Sequence, residues 1–130
     1  MFKDPEGPIE KFEWGVFNIQ GEKHGKTKKG KKGAGKDIRL IGTEVSKWKE
    51  RKGHKLTKDM ITGIYKQHVD TLIIGNGVEG MLECPDEVKE DIYGHGINEL
   101  YIENTPEACR LYNHAYRQKR NVALLAHGTC

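Results

Sequence analysis

No run in this chain approaches the roughly 18 consecutive apolar residues that a membrane-spanning helix requires. The opening stretch MFKDPEGPIEKF has no apolar segment of the kind a secretory signal carries. A soluble, cytoplasmic protein with no membrane role is the expectation. Cysteine is scarce: Cys84, Cys109 and Cys130 stand far apart, with no CxxC pair among them. That removes the spacing signal for zinc ribbons and thioredoxin-type motifs, so no metal and no cofactor is expected. An odd count also speaks against a disulfide framework and fits a reducing compartment. Cys130 is the last residue, whereas a prenylation signal needs three more after its cysteine.

What is present in quantity is charge. Of the 130 residues, 32% are charged and 35% hydrophobic, so one compact core under a heavily charged surface is expected, in a single α/β domain over 1–130. The charge is unevenly spread. Residues 22–36, EKHGKTKKGKKGAGK, hold seven lysines against Glu22, a local charge of +6 in a chain whose net charge is +3. This stretch contains neither arginine nor an aromatic residue, whereas nucleic-acid surfaces spread both along a face. Nucleic acid is therefore not the expected partner. With nothing to bury, residues 22–36 read as a long flexible loop.

The rest of the chain is patterned. Residues 8–20, PIEKFEWGVFNIQ, read as a strand with Gly15 as a bulge. Residues 37–48 read as one or two further strands, antiparallel to it across the lysine segment. Three helices are predicted. TKDMITGIYKQHV (57–69) starts on Thr57 and carries an apolar face at Met60, Ile61, Ile64, Tyr65 and Val69. PDEVKEDIY (85–93) has Pro85 at its first position and Gly94 as its stop. TPEACRLYNHAYRQK (105–119) is capped by Thr105. Between and after them lie short, nearly unbroken apolar runs: 70–75, 99–103 and 121–127. Such runs suit strands covered on both faces. Alternation of helix and strand predicts parallel strands with right-handed crossovers. The fold class is therefore α/β: layered, with a central mixed sheet, parallel βαβ units in the C-terminal half and antiparallel strands at the N-terminus.

Two glycine motifs raise phosphate binding. GKKGAGKD (30–37) supplies seven of the eight positions of the P-loop G-x-x-x-x-G-K-[ST]. A working P-loop leaves a core strand and enters a helix. Here lysines precede the motif, a strand follows it, and Asp37 stands where a hydroxyl should hold magnesium. It reads as part of the cationic loop. GNGVEG (75–80) matches G-x-G-x-x-G and directly follows the strand DTLIIG. Yet MLECP separates it from the next helix start, so a glycine-dependent turn is the plainer reading. Loops of this kind still sit where open α/β sheets bind ligands.

The candidate ligand-binding residues lie on that rim and in a segment ahead of the first helix, where an arginine and a histidine could bind an anion. They are Gly75, Asn76, Gly77 and Glu79 on the glycine loop, His127 at the end of the last strand, and Arg51 with His54 in WKERKGHKL (48–56). For each, a turn, cap or solvated role is the stronger alternative. Cys84, just before Pro85 at a helix N-terminus, is the candidate reactive thiol, because a helix N-terminus lowers thiol pKa. Cys109 reads as core. No complete catalytic constellation is present, so no catalytic residue is assigned.

The runs WKERKGHKLTKDMI, VDTLIIGNGVEGMLECP, VKEDIYGHGINELYIENTPEAC and NVALLAHGTC together resemble the Mth-nine-thirty-eight-like family of unknown function. The likeness extends from about Phe12 to the end, with Gly75, Gly77, Thr129 and Cys130 at recurrent family positions, while the basic segment looks longer than in typical members. The resemblance implies a layered α/β fold with a central mixed sheet. Relatives include an adipogenesis-associated protein and a mitochondrial complex I assembly factor, which implies work through protein contacts. A non-enzymatic binding or assembly module with protein partners is the expectation. The alternative is a small-anion or nucleotide-binding protein, or an enzyme acting on such a ligand, with its site at the strand C-terminal rim around Gly75–Gly80.

Overall fold

The computed structural model describes all residues, 1–130. Its ten strands form two five-stranded sheets. The first is antiparallel throughout, in the order β1 (Phe2–Lys3), β2 (Ile9–Glu13), β3 (Val16–Ile19), β4 (Glu22–Thr27) and β5 (Gly30–Lys32). The second is mixed, with β6 (Asp37–Ile41), β7 (Glu44–Lys47), β8 (Thr71–Gly75), β9 (Glu99–Glu103) and β10 (Val122–His127) in the spatial order β7-β6-β10-β8-β9. Strands β10, β8 and β9 are parallel, and β6 and β7 are antiparallel to their neighbours. Helix α1 (Asp86–Gly94) connects β8 to β9, and helix α2 (Thr105–Arg117) connects β9 to β10.

The mixed sheet is the middle layer, as the unbroken apolar runs require. Every residue of β8 and β10 is buried. Their alternate residues divide between two cores. Ile73, Val122, Leu124 and Ala126 join Phe12, Phe17 and Ile19 of the first sheet and Ala108, Cys109 and Tyr112 of α2. Leu72, Ile74, Ala123 and Leu125 face the other way, onto Trp48, Leu56, Ile61 and Ile64, with Val88 and Ile92 of α1. The two helices therefore lie on opposite faces of the sheet. The buried Asn113 of α2 ties the layers together: its side chain accepts from Ile9 N–H (3.0 Å) and donates to the Ile9 carbonyl (2.8 Å).

Four local expectations are corrected. Residues 8–20 are two strands, not one, and Gly15 (φ +74°) makes the tight turn between them; the register irregularity lies between Ile9 and Lys11. Residues 22–36 are not a loop. They contain the β4–β5 hairpin, because ladder pairing uses backbone groups and needs no apolar side chain. Gly25 lies so close to the Gly15 carbonyl that no Cβ would fit, and His24 is buried, its Nδ1 accepting from Ala34 N–H at 3.0 Å. Residues 57–69 are not an α-helix but two 3₁₀ turns, Lys58–Met60 and Thr62–Ile64. There the indole N–H of buried Trp48 donates to the Met60 carbonyl at 2.8 Å, taking the acceptor that an α-helix would give to residue 64. Finally, α2 is capped by Asn104, whose side chain accepts from Glu107 N–H at 3.0 Å. Thr105 is thereby freed for another task.

Candidate functional site

The C-terminal ends of β8 and β10 lie side by side where the chain's path diverges, β9 being added on one side of β8 and β10 on the other. Open α/β sheets form a ligand crevice at such a point. Here the glycine loop after β8 and the segment 128–130 after β10 meet, and they bind each other. Val78 N–H donates to the Thr129 carbonyl (2.6 Å) and Met81 N–H to the Cys130 carbonyl (3.1 Å). Gly77 (φ +104°) lies against the Cys130 backbone so closely that any Cβ would overlap it. Gly77 N–H itself donates to Thr105 Oγ1 (3.0 Å), whose hydroxyl in turn donates to the His127 carbonyl at 2.6 Å. Asn76 N–H goes to the Glu103 carbonyl, Gly80 N–H to Gly77 and Leu82 N–H to Asn76. A phosphate cradle needs free amides pointing at the anion. In GNGVEG the amides of Asn76, Gly77, Val78 and Gly80 are already taken by the chain itself.

The sequence-predicted residues therefore divide. Gly75 ends β8, buried beneath Thr105. Asn76 lies in the turn with its side-chain oxygen buried and unpartnered, and Glu79 points into solvent. By contrast, Arg51, His54 and His127 do come together, around a residue that sequence reasoning treated only as a flaw in a P-loop. Asp37 opens β6 directly opposite His127, the final residue of β10. Its Oδ1 lies 2.6 Å from His127 Nδ1, and its Oδ2 accepts from Arg51 Nε at 2.9 Å. Burial pushes the Asp37 carboxyl up, but the hydrogen bonds from His127 and Arg51 outweigh this and hold it below the usual carboxylate range. An ionised carboxylate only accepts, so His127 Nδ1 carries a proton and donates it to Asp37. Arg51 is fixed further by donating to the Gly53 carbonyl at 2.6 Å.

The far nitrogen of the His127 ring faces the chain end. Thr129 Oγ1 is 3.2 Å from His127 Nε2, and Cys130 Sγ is 3.9 Å from it. His54 reaches the same sulfur from the other side, its Nε2 lying 3.5 Å from Cys130 Sγ. The segment bearing His54 is anchored by two backbone bonds, Glu83 N–H to the His54 carbonyl (2.7 Å) and Leu56 N–H to the Glu83 carbonyl (2.8 Å). A carboxylate, two imidazoles, a guanidinium and a thiol thus converge from three chain segments. Cys130 lies within this cluster. Cys84, the candidate reactive thiol, lies outside it; burial pushes its pKa up, and nearby Lys89 does not offset that. Cys109 is fully buried, as expected of a core residue.

Beside Asp37 a second feature opens. A cleft of about 260 Å³ lies between the β4–β5 hairpin and the β6–β7 pair, lined by Lys26, Lys31, Lys36 and Lys47 with Gly25 and Asp37. None of those lysines has an ion-pair partner; the paired lysines are Lys11 and Lys89. The Lys47 ammonium, within hydrogen-bonding reach of Lys31 and of like charge, pulls the Lys31 pKa below its usual range.

Two stacked sheets, one antiparallel and one mixed, with a polar cluster at the strand ends define a small layered α/β domain. The chain belongs to the Mth-nine-thirty-eight-like domain family: residues 9–127 match the model described as "Protein of unknown function (DUF498/DUF598)". Solved structures share this fold. The conserved hypothetical protein PH1505 from Pyrococcus horikoshii OT3 superposes with a TM-score of 0.73 at 23% identity, covering 94% of this chain and 98% of that one. A protein from Bartonella henselae, described as an outer membrane protein, gives 0.73 at 22% identity over 95% of both chains. The structure named MT938 gives 0.69 at 20% identity, covering 94% of this chain and 97% of that one. No curated protein matches the chain. No helix here is long and apolar enough to cross a membrane.

Proposed function

We propose that this chain is a non-enzymatic binding module whose partner is a protein presenting an acidic segment. The observation that carries the reading is the lysine-lined cleft, where four ammonium groups converge, none of them in an ion pair, the one carboxylate beside them, Asp37, being taken by Arg51 and His127. A carboxylate placed between Lys31 and Lys47 offsets their like charge. Trp14 supports a macromolecular partner over a free ion. It is 50% exposed in the β2–β3 turn, next to Gly15, which contacts the Gly25 strand lining the cleft. An exposed indole in a turn next to a strand that lines the cleft would offer an apolar anchor near the charge, the pairing found at interface hot spots. Three unpaired thiols suit a reducing, cytoplasmic setting. The alternative, a small anion such as a phosphate or nucleotide, would use the same lysines, not the spent amides of Asn76, Gly77, Val78 and Gly80.

Intrinsic fluorescence tests the reading, since Trp48 is buried and Trp14 is the tryptophan that senses a ligand. A glutamate-rich peptide carrying one leucine is expected to give a saturable change in emission. The response should weaken as salt screens the charges and vanish when Lys31 and Lys47 are both changed to Gln. Silence with the peptide together with a response to inorganic phosphate or ATP would replace this reading with the small-anion one. Equal binding of a DNA oligomer would reduce it to unspecific polyanion attraction.

A further inference from the structure

The sulfur and the two imidazole nitrogens described above have a property that neither hydrogen bonding nor the cationic cleft uses. His54, His127 and Cys130 offer three ligand atoms that all lie within 4.8 Å of one another. Tetrahedral zinc, with bonds of about 2.3 Å to sulfur and about 2.0–2.1 Å to nitrogen, separates a sulfur from a nitrogen ligand by about 3.5 Å. The His54 Nε2–Cys130 Sγ distance is 3.5 Å and the His127 Nε2–Cys130 Sγ distance 3.9 Å. The two sulfur–nitrogen spacings are those of a coordination sphere within a few tenths of an ångström, and the two imidazole nitrogens, within 4.8 Å of each other, would close to about 3.3–3.4 Å on a shared ion, a movement open to the exposed His54.

The surroundings are also those of a metal site. A ligating histidine almost always donates its other ring N–H to a carboxylate or carbonyl, which fixes its tautomer and raises its basicity. His127 does this through Nδ1 to Asp37 at 2.6 Å, and Arg51 holds Asp37 in place at 2.9 Å. Its Nε2 lone pair is thereby directed toward Thr129 and Cys130. Buried His127 supplies a rigid ligand and exposed His54 an open path for the ion. The donor set, two imidazoles and a thiolate, suits a late first-row divalent ion, zinc above all, over magnesium or calcium. Three protein ligands leave the fourth position to water, with the Thr129 hydroxyl beside it, 3.2 Å from His127 Nε2.

We infer that His54, His127 and Cys130 form a zinc-type metal site, with Asp37 as the positioning residue behind His127. Binding would release the Cys130 thiol proton as the sulfur becomes a thiolate ligand, while His127 keeps its Nδ1 proton on Asp37. Sequence spacing conceals the site: His54 and Cys130 are 76 positions apart, and none of the three belongs to a CxxC or HxxxH pattern.

The test is cobalt(II) titration of the untagged full chain after chelator treatment, followed by zinc competition. The expected result is a thiolate-to-cobalt charge-transfer band that saturates at one equivalent and is erased by zinc. Cys130→Ser should abolish the band, while Cys84→Ser leaves it intact. His54→Ala, at an exposed position that the fold does not need, should weaken binding. Asp37→Asn should weaken it about 10–100-fold without removing the band, the usual effect of losing a carboxylate behind a histidine ligand. No charge-transfer band in a folded wild-type chain, or a band that survives Cys130→Ser, overturns the inference.

Discussion

Thr105→Val is the sharpest probe of how the glycine loop, α2 and β10 are joined. Thr105 is 0% exposed, and its hydroxyl is the sole link that both accepts from Gly77 N–H (3.0 Å) and donates to the His127 carbonyl (2.6 Å). Valine has nearly the same shape and removes both bonds. A buried group left unpaired costs about 1–3 kcal/mol. The Gly77 amide loses its hydrogen-bond partner, while the carbonyl keeps a second lone pair, so the expected loss is about 2–4 kcal/mol. Thr105→Ser keeps the hydroxyl and loses one buried methyl, a cost of about 1 kcal/mol. Urea unfolding checks the pair, with equal m-values and midpoints in the order native, Ser, Val. A view in which burial of apolar surface alone decides stability gives the opposite order for Ser and Val. Valine within about 0.5 kcal/mol of the native chain, or above serine, would refute the reasoning.

Two further predictions concern the cluster itself. The depressed Asp37 pKa means that its ion pairs contribute stability above the unfolded carboxylate value, near pH 3.9, and that this is lost as pH falls through the lower folded value. The stability gap between native and Asp37→Asn chains should therefore shrink below about pH 4; a gap unchanged from neutral pH down to acid unfolding would contradict it. Thiol labelling at neutral pH should reach Cys130 first, Cys84 slowly and Cys109 only on unfolding, because burial pushes both Cys84 and Cys109 up. Fast labelling that persists in Cys130→Ser would count against this order.

The layered fold was legible because its middle strands are marked locally. TLIIG and VALLAH are apolar at nearly every position, as only a doubly covered strand is, and Pro85 and Pro106 mark the helix starts. The misreadings have a shared cause: tertiary contacts decided what local pattern left open. Residues 57–69 have a helical apolar face, but Trp48 claims the Met60 carbonyl and the Arg39 side chain fills the space beside Gly63 where a Cβ would stand. The lysine segment has no apolar pattern, yet Gly25 can slide against Gly15 and build a strand. The site was half visible. His127 stands out in the sequence as a polar residue at a strand end, and Arg51 and His54 as groups ahead of a predicted helix that can bind an anion. Asp37 does not, since its role depends on its register opposite His127, 90 residues away.

The β4–β5 hairpin bears on how this molecule behaves beside its own copies. Strand β5 is the outer edge of the first sheet, only three residues long, with Gly30, Lys31 and Lys32 all exposed. A sheet edge offers unpaired N–H and C=O groups to any passing strand. Here a second molecule approaching edge to edge would bring its own lysines against these, and a three-residue ladder is too short to offset that repulsion. Lys31, one of the four lysines that give the cleft its positive charge, also helps keep the sheet from being extended by its neighbour. Neutralising Lys31 and Lys32 would open that edge to intermolecular pairing while leaving the core beneath it unaltered.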